Sequence, residues 1–363
     1  MRLILAGDVM TGRGIDQILP NAGSSRIYES WLKSAYDYVV LAERRNGPIP
    51  LPVSPGYIWG DALEVMQARL PDFRVINLET AVTTSNDCWP GKGIQYRMHP
   101  ANLDCLTVAE IDICSLANNH VLDWGYPGLG ETLTSLHKTG IRTAGAGLES
   151  AEACTAITAH CGNARLVMFA CGHGSSGIPP VWGATPGRAG VCRVANLSNE
   201  TADDIAHRIN AARQPGDITM LSIHWGGNWG YAVPTDQQRF ARRLVEAGVD
   251  IVCGHSSHHS KAIEIYRDRP ILYGCGDLIN DYEGIGGQEQ FRSDLRVLYC
   301  VELSKDGGLQ SLELIPFQSR RLQLEQAPEK NRRWLRQKLD SECGLFGGHL
   351  RSGTADISFF LEW

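Results

Sequence analysis

Five short polar segments, each directly following an apolar run, constrain what this chain can fold into. The apolar runs cover residues 3–6, 73–76, 111–114, 219–223 and 249–253 and are typical of buried strands. The segments that follow them are Gly7-Asp8-Val9-Met10, Asn77-Leu78-Glu79, Asn118-Asn119-His120-Val121-Leu122-Asp123, His224-Trp225-Gly226-Gly227-Asn228 and Gly254-His255-Ser256-Ser257-His258. Ligands of open α/β sheets collect beyond the carboxyl ends of strands. We therefore predict an α/β fold in which five strand ends face one site.

The length and composition predict a single globular domain over residues 1–363. Of the 363 residues, 43% are apolar and 20% charged, which is ordinary for a protein with a large core. Residues 20–57 and 172–191 are rich in Gly, Pro and Ser and are predicted as insertion loops. Residues 318–340 are charged and helix-prone, and they begin a C-terminal segment, 318–363, that we expect to be peripheral.

Helical spacing of apolar residues occurs in four further stretches between the predicted strands. These are residues 62–70, 129–139, 201–212 and 236–247, the last of which ends at a glycine that leads into the strand before His255. Alternating strands and helices support the α/β class.

Charge and cysteine usage limit the partners and the compartment. The formal charge of −6 and a pI near 6.0 argue against a nucleic-acid surface or an anionic membrane as partner. The 11 cysteines are scattered and include no Cys-x-x-Cys pair, so we expect reduced cysteines in a cytoplasmic protein. The first residues lack the apolar region of a signal peptide, and no apolar run reaches the ~18 residues of a membrane span.

The polar residues at the strand ends are of metal-ligand or proton-transfer type. Asp8 could be a metal carboxylate or a turn residue that caps the next segment, and Glu79 could bind a metal or begin a helix. Asn119 and His120 are costly to bury without partners, which favours a functional role. His224 could be a satisfied core histidine, whereas His255 and His258 exceed what a core needs.

Together, these segments resemble the calcineurin-like metallophosphoesterases, and within them the CapA family of capsule and poly-γ-glutamate biosynthesis proteins. The resemblance covers about residues 1–300 and includes Ile271-Leu272-Tyr273-Gly274-Cys275-Gly276-Asp277. It implies an α/β/β/α double-sheet sandwich with a metal site at one edge. By position, it implies metal ligands at Asp8, Glu79, Asn119, His224, His255 and His258. His120 falls at the position of the proton-donating histidine.

Two departures from the fold's usual motifs affect the predicted metal site. The usual Asp-x-His has Met10 at its third position, and the usual Gly-His-x-His has an extra residue between His255 and His258. Thioether sulfur is a poor ligand for a hard cation. We therefore predict one divalent ion, with Ca²⁺, Mn²⁺ or Mg²⁺ favoured over Zn²⁺ because Asp8, Glu79 and Asn119 offer oxygen.

Histidines that do not bind the ion are available to move protons. The predicted catalytic residues are His120, Asp123, His224, His258 and Asp277, with Asp281 as a further carboxylate that could orient a histidine. Arg13, Lys92 and Arg97 could hold the terminal carboxylate of a peptide substrate. The tryptophans Trp59, Trp182, Trp225 and Trp229 could receive an aromatic side chain, or they could pack in the core and loops.

Three functions are consistent with these predicted metal ligands and proton-transfer residues. The first is a metal-dependent peptide epimerase that inverts a Cα centre, since soluble relatives of this family include the epimerases of ribosomal lasso peptides. The second is a metallophosphoesterase, which the fold favours and Met10 disfavours. The third is a non-catalytic capsule or poly-γ-glutamate assembly protein. The sequence ranks the epimerase first, although fold alone does not decide function.

Overall fold

The computed structural model describes residues 1–353 and 357–363, and it contains two large β-sheets. The strands are β1 (Arg2–Val9), β2 (Phe73–Leu78), β3 (Ala81–Val82), β4 (Arg97–Met98), β5 (Ile113–Ser115), β6 (Arg142–Ala144), β7 (Ala146–Gly147), β8 (Ile157–Cys161), β9 (Ala164–His173), β10 (Gly190–Val191), β11 (Arg193–Val194), β12 (Ile218–His224), β13 (Ile251–His255), β14 (Ile263–Tyr266), β15 (Arg269–Leu272), β16 (Asp277–Ile279), β17 (Leu295–Leu303), β18 (Leu309–Arg320), β19 (Gln323–Gln326), β20 (His349–Ser352) and β21 (Phe359–Glu362).

The helices connect these strands and cover the outer faces of the sheets. The α-helices are α1 (Gly14–Ile18), α2 (Tyr36–Asn46), α3 (Ala62–Ala68), α4 (Asp104–Thr107), α5 (Gly125–Lys138), α6 (Ser150–Ala153), α7 (Asn199–Ala212), α8 (Thr235–Glu246) and α9 (Glu329–Gly344). Short 3₁₀ helices lie at Tyr57–Trp59, Pro100–Asn102, Gly174–Ser176, Pro180–Trp182 and Glu289–Phe291. None of the helices in the described part of the chain is long and apolar enough to cross a membrane.

The larger sheet runs β20-β21-β18-β17-β1-β2-β5-β6, and the smaller one β11-β9-β12-β13-β15-β14. The carboxyl half of β1 lies between two parallel neighbours, β2 and β16, whereas its amino half pairs antiparallel with β17. In the smaller sheet, β9, β12, β13 and β15 are parallel. Parallel strands that share a direction bring their carboxyl ends to the same edge.

Alternating side chains along the strands divide the core into three layers. Leu3 and Leu5 of β1 face the smaller sheet and pack with its Met168 and Met220. Ile4 and Ala6 face the opposite way, into the core beneath α5. A third cluster lies between the smaller sheet and helices α7 and α8. The predicted α/β/β/α sandwich is therefore confirmed.

The loop and C-terminal predictions need correction. Residues 20–57 are not all loop, since α2 lies within them and its Tyr38 packs on Ile27. Helix does not begin at residue 318, because β18 continues to Arg320 by pairing with β17 and only later does α9 begin. The segment 318–363 also supplies β20 and β21 at one edge of the larger sheet, and their Leu350 and Leu361 enter the core between the sheets. These pairings are between residues distant in sequence, which local composition does not reveal.

The prediction that every cysteine is reduced is wrong for one pair. Cys154 and Cys192 form a disulfide across 38 residues, with their Cα atoms 5.0 Å apart. The fold brings the end of α6 against the segment after β10. The spacing of the cysteines in the sequence therefore does not predict this disulfide. Most of the remaining cysteines in the described residues are buried, as expected for small core side chains.

Gly7 is required by the close approach of two backbones beside Asp8. A Cβ atom at this position would lie 1.9 Å from the carbonyl oxygen of Gly276. We expect Gly7→Ala to lower the free energy of unfolding by about 1–3 kcal/mol, because the adjoining backbone must move. Gly130 of α5 is the matched control, since its Cβ would meet nothing within 4 Å and Gly130→Ala should stabilise by at most about 1 kcal/mol. Equal melting curves for the two variants would contradict this account.

Candidate metal centre

The carboxyl ends of strands from both sheets meet at one edge of the sandwich. Asp8 of β1 is in register with Asn77 of β2 and Asp277 of β16, and His224 of β12 is in register with His255 of β13. The two sheets are joined there because the backbone N–H of Ser256 donates to Asp8 Oδ2 at 3.1 Å. Strand ends separated by up to 248 residues thus form one site.

One group of buried ligand-type side chains consists of Asp8, His224 and His255, whose ligand atoms lie within 4.8 Å of one another. The Nδ1 atoms of the two histidines are 2.7 Å apart, and His255 Nδ1 is 3.8 Å from Asp8 Oδ1. His224 Nε2 lies 3.0 Å from Asn119 Oδ1 and 3.9 Å from Glu79 Oε1. The structure therefore brings Glu79 and Asn119 against this group, as the sequence expectation required.

A second group shares Asp8 and adds His258 and Asp277, again with ligand atoms within 4.8 Å. His258 Nδ1 is 3.0 Å from Asp277 Oδ1. The other oxygen of Asp277 accepts from Asn280 Nδ2 at 2.6 Å. All three side chains are at most 7% exposed, so both groups are shielded from water.

His120 lies beside these groups as part of a polar triad. Its Nδ1 is 2.6 Å from Asp123 Oδ2 and 3.0 Å from Lys92 Nζ, and Lys92 Nζ is 2.6 Å from Asp123 Oδ1. The opposite ring nitrogen, Nε2, is 3.7 Å from Glu79 Oε1. This histidine therefore has one nitrogen held by a carboxylate and the other directed at the ligand groups, an arrangement suited to proton transfer.

Two residues support the ligands without having been assigned a role from sequence. Asn77 Nδ2 donates to Asp8 Oδ1 at 2.7 Å and lies 3.4 Å from Glu79 Oε2. Ser222 Oγ lies 2.8 Å from His255 Nε2. Asn77 is two residues before Glu79, and Ser222 is two residues before His224. Side chains two residues apart on a strand point to the same face, so this spacing is the sequence signal that could have identified both residues.

Burial and mutual repulsion set the protonation of the site. Burial, then the neighbouring Asp277, raise the pKa of Asp8 to about 7. Burial and Asp8 raise the pKa of Glu79 well above its ordinary value. Burial lowers the pKa of His255 to about 3, and burial together with His255 lowers the pKa of His224.

These observations fit a divalent cation. The donor set of carboxylate, amide and imidazole groups is of the type that binds Mn²⁺, Mg²⁺ or Zn²⁺. Two buried acids with raised pKa values repel each other and are stabilised as carboxylates by a nearby positive charge. The histidines His224 and His255 are neutral near pH 7, which is the form that ligates a metal.

Met10 offers no ligand to this centre. Its side chain is fully buried, and its sulfur lies 3.7 Å from the hydroxyl of Tyr282. The ring of Tyr282 is in turn 5.1 Å from that of His258. Position 10 therefore adjoins the second group and contributes a sulfur that accepts a hydrogen bond from Tyr282.

All three cationic residues predicted to bind a substrate carboxylate already have partners in the structure, and Lys92 pairs with Asp123 at 2.6 Å. Arg13 is 3% exposed, and its guanidinium is paired with Glu29 at 2.8 Å and Asp281 at 2.5 Å. Arg97 is 7% exposed and donates to the backbone carbonyl of Ser85 while its guanidinium stacks on a tryptophan ring. Both are structural here because their donors are already used. Asp281, expected as an orienting carboxylate, is the partner of Arg13 and does not pair with a site histidine.

The four tryptophans considered for substrate binding fall into two classes. Trp59, Trp182 and Trp225 are at most 2% exposed, and Trp59 and Trp225 donate their indole N–H to backbone carbonyl groups. These three pack in the interior. Trp229 is half-buried, with its ring 5.2 Å from that of His258. Only this tryptophan of the four is placed beside the centre and open to solvent.

Manganese affinity is expected to fall as the pH is lowered through about 7. Below that pH, a proton on Asp8 competes with the ion, whereas His255, with a pKa of about 3, stays ready to ligate. The apparent Kd should therefore rise by up to about tenfold per pH unit below 7 and level off above it. Calorimetric titration with Mn²⁺ in buffers of different ionisation enthalpy measures the proton released. Equal affinity and no proton release on both sides of pH 7 would contradict the raised pKa.

The α/β/β/α sandwich with Asp, Glu, Asn and His side chains at its strand ends is the arrangement that the resemblance to the calcineurin-like metallophosphoesterases implies. Residues 2–282 match the family model described as bacterial capsule synthesis protein PGA_cap, and the chain belongs to this family. It is 45% identical over 348 residues to a probable polyglutamine synthesis accessory protein of Mycobacterium tuberculosis, covering 95% of this chain and 92% of that protein.

Two weaker similarities are to a curated protein and to a solved structure. The chain is 24% identical over 313 residues to the PGA biosynthesis protein CapA of Bacillus subtilis, covering 86% of this chain and 70% of CapA. Among solved structures, it resembles a 5'-nucleotidase precursor from Thermus thermophilus with a TM-score of 0.48 and 13% identity, covering 87% of this chain and 54% of that one.

Proposed function

We propose that this protein is a metal-dependent hydrolase that assists the synthesis of a capsule or amino-acid polymer. The setting comes from the relatives, whose names assign them to capsule, PGA or polyglutamine synthesis. The chemistry is supported by one observation above all. His120, paired with Asp123, has its free ring nitrogen 3.7 Å from Glu79, beside the ligand groups that meet at Asp8.

The side chains divide the work of hydrolysis. Asp8, Glu79, Asn119, His224 and His255 would hold a divalent cation, which supplies polarisation of the scissile group. Asp123 holds His120 Nδ1, and because burial lowers the pKa of His120 to about 4, its Nε2 faces the centre unprotonated near pH 7 and can take the proton of an attacking water. Lys92 balances the charge of Asp123 and fixes that carboxylate in place. A phosphoester is the substrate class we test first, because the resemblance to metallophosphoesterases implies it.

A cavity of about 510 Å³ lies near the centre, on the far side of Tyr282. Tyr282 lines this cavity and has its ring 5.1 Å from His258, so the phenol separates the cavity from the ligand groups. Arg45 and Arg292 also line it, and Arg45 is exposed. Glu283, Glu289 and Asp294 line it as well, and Arg292 pairs with Asp294 at 2.8 Å, so the lining carries charges of both signs.

Peptide epimerisation remains a second candidate on one specific ground. The site contains two pairs of histidine and aspartate, His120–Asp123 and His258–Asp277, and inversion of a Cα centre requires two proton-transfer groups. The reported relatives are named for polymer synthesis, which reverses the ranking obtained from the sequence and places polymer assembly first.

The test uses the purified protein loaded with Mn²⁺ and three substrates in parallel. We expect release of phenol from an aryl phosphate ester, with activity lost on chelation. A glutamate oligomer and a ribosomal precursor peptide are incubated separately in D₂O and analysed by mass spectrometry. Deuterium at a Cα with both stereoisomers recovered would favour epimerisation. Cleavage of the glutamate oligomer without release of phenol would show that the enzyme hydrolyses an amide bond and not a phosphoester. No reaction with any substrate would overturn the enzyme proposal.

A further inference from the structure

We propose that Asp277 is a metal ligand that takes the place of the histidine missing at position 10 and so creates a second cation position with Asp8 and His258. The inference rests on the proposed metal-dependent centre and concerns the number of ions that it holds. Neither the Asp-x-His motif nor its absence reveals this ligand, because Asp277 lies on a strand distant in sequence from Asp8.

The strand β16 delivers the carboxylate to the required place. It runs parallel to β1 with Asp277 in register with Asp8, and the backbone N–H of Met10 donates to Ile279 at 2.8 Å. A histidine at position 10 would reach the centre along β1, two residues beyond Asp8. Asp277 reaches it across the sheet instead, from the neighbouring strand.

The side chains are oriented as a ligand group. Asn280 Nδ2 donates to the outer oxygen of Asp277 at 2.6 Å, and Arg296 donates to Asn280 Oδ1 at 2.7 Å. This chain of hydrogen bonds holds Asp277 with its other oxygen 3.0 Å from His258 Nδ1. The exposed fractions of Asp8, His258 and Asp277 are 0%, 7% and 2%, so the group is buried. The hydrogen bonds through Asn280 and Arg296 hold Asp277 in its orientation.

The charge balance also calls for a cation. Asp8, Glu79 and Asp277 are three buried acids, and in the described residues no lysine or arginine forms an ion pair with any of them. The nearest candidates are used elsewhere, since Lys92 pairs with Asp123 and Arg13 with Asp281. Their ion-pair partners are histidines, which balance the charge only when protonated, whereas a second divalent ion beside Asp277 would balance it in every protonation state.

The alternative is that Asp277 only orients His258 as a base. The two roles differ in what Asp277→Asn removes. An amide at position 277 still offers an oxygen for a hydrogen bond to the imidazole, but it lacks the charge that binds a hard cation. The number of bound ions therefore separates a ligand from an orienting partner, and it does so without reference to catalysis.

The experiment measures Mn²⁺ binding to metal-free full-length protein by elemental analysis after dialysis and by electron paramagnetic resonance. We expect two equivalents in the wild type, with a spin-coupled spectrum because ions that share a carboxylate lie about 3.5–4 Å apart. Asp277→Asn should bind one equivalent and give the spectrum of an isolated ion. His258→Gln is a second variant with the same expectation, should Asp277→Asn fold poorly.

Asp236→Asn, at the exposed start of α8, is the matched control and should keep both equivalents. One equivalent in the wild type, or two in both Asp277→Asn and His258→Gln, would overturn the inference. Because no substrate is involved, two bound ions together with absent hydrolysis would leave the inference standing and overturn the proposed function instead.

Discussion

Replacing His120 with asparagine is expected to lower kcat for the proposed hydrolysis by about 10²–10⁴-fold, the usual contribution of general acid–base catalysis. The metal content should stay unchanged, because the nearest ligand-group oxygen, of Glu79, is 3.7 Å from His120 Nε2. Folding should also be retained. Lys92 lies 2.6 Å from Asp123 and continues to balance that buried carboxylate when the imidazole is removed.

The matched control for this experiment is His160→Asn, which changes an exposed histidine on β8 far from the strand ends. Steady-state kinetics, elemental analysis and thermal melting are compared for the two variants. Loss of the bound ion in His120→Asn would make His120 a ligand, and unchanged kcat would remove it from the reaction.

Replacing Arg13 with methionine is expected to destabilise the protein by about 3–5 kcal/mol. The guanidinium is 3% exposed and pairs with Glu29 at 2.8 Å and with Asp281 at 2.5 Å. It also lies 3.8 Å from the centre of the Tyr38 ring. Methionine keeps much of the apolar volume but leaves two buried carboxylates without their cation, and that uncompensated charge is the source of the loss.

An exposed ion pair provides the contrast for Arg13. Arg351 lies 2.7 Å from Glu362, and their side chains are 58% and 59% exposed. Arg351→Met should change the free energy of unfolding by at most about 1 kcal/mol, because solvent screens such pairs. Chemical denaturation of both variants at one pH measures the difference. Equal stabilities would mean that the Arg13 network contributes no more than a surface pair.

The sequence was sufficient for features that depend on local pattern. The runs before Asp8, Glu79, Asn119, His224 and His255 form strands, and these strands carry the predicted ligand residues to one edge. Periodicity also located α5, α7 and α8, since each covers a sheet with one apolar face. Such local patterns agree with the folded structure because their apolar positions are the ones that become buried.

The sequence was not sufficient for features that depend on distant contacts. Arg13 was expected to meet a substrate, but its partner Asp281 lies 268 residues away and buries it. The strand β16 has three residues and no recognisable period, so its pairing with β1 beside Asp8 was not foreseen. The disulfide between Cys154 and Cys192 depends in the same way on tertiary proximity. Each of these requires the folded arrangement rather than a local signal.

The account depends most directly on a metal centre built around Asp8, which belongs to both ligand groups. The decisive measurement is Mn²⁺ binding to the wild type and to Asp8→Asn, with elemental analysis of both proteins as purified. We expect at least one tightly bound divalent ion in the wild type and none in Asp8→Asn, with both proteins folded. A folded wild-type protein that neither carries nor takes up a divalent ion would contradict it.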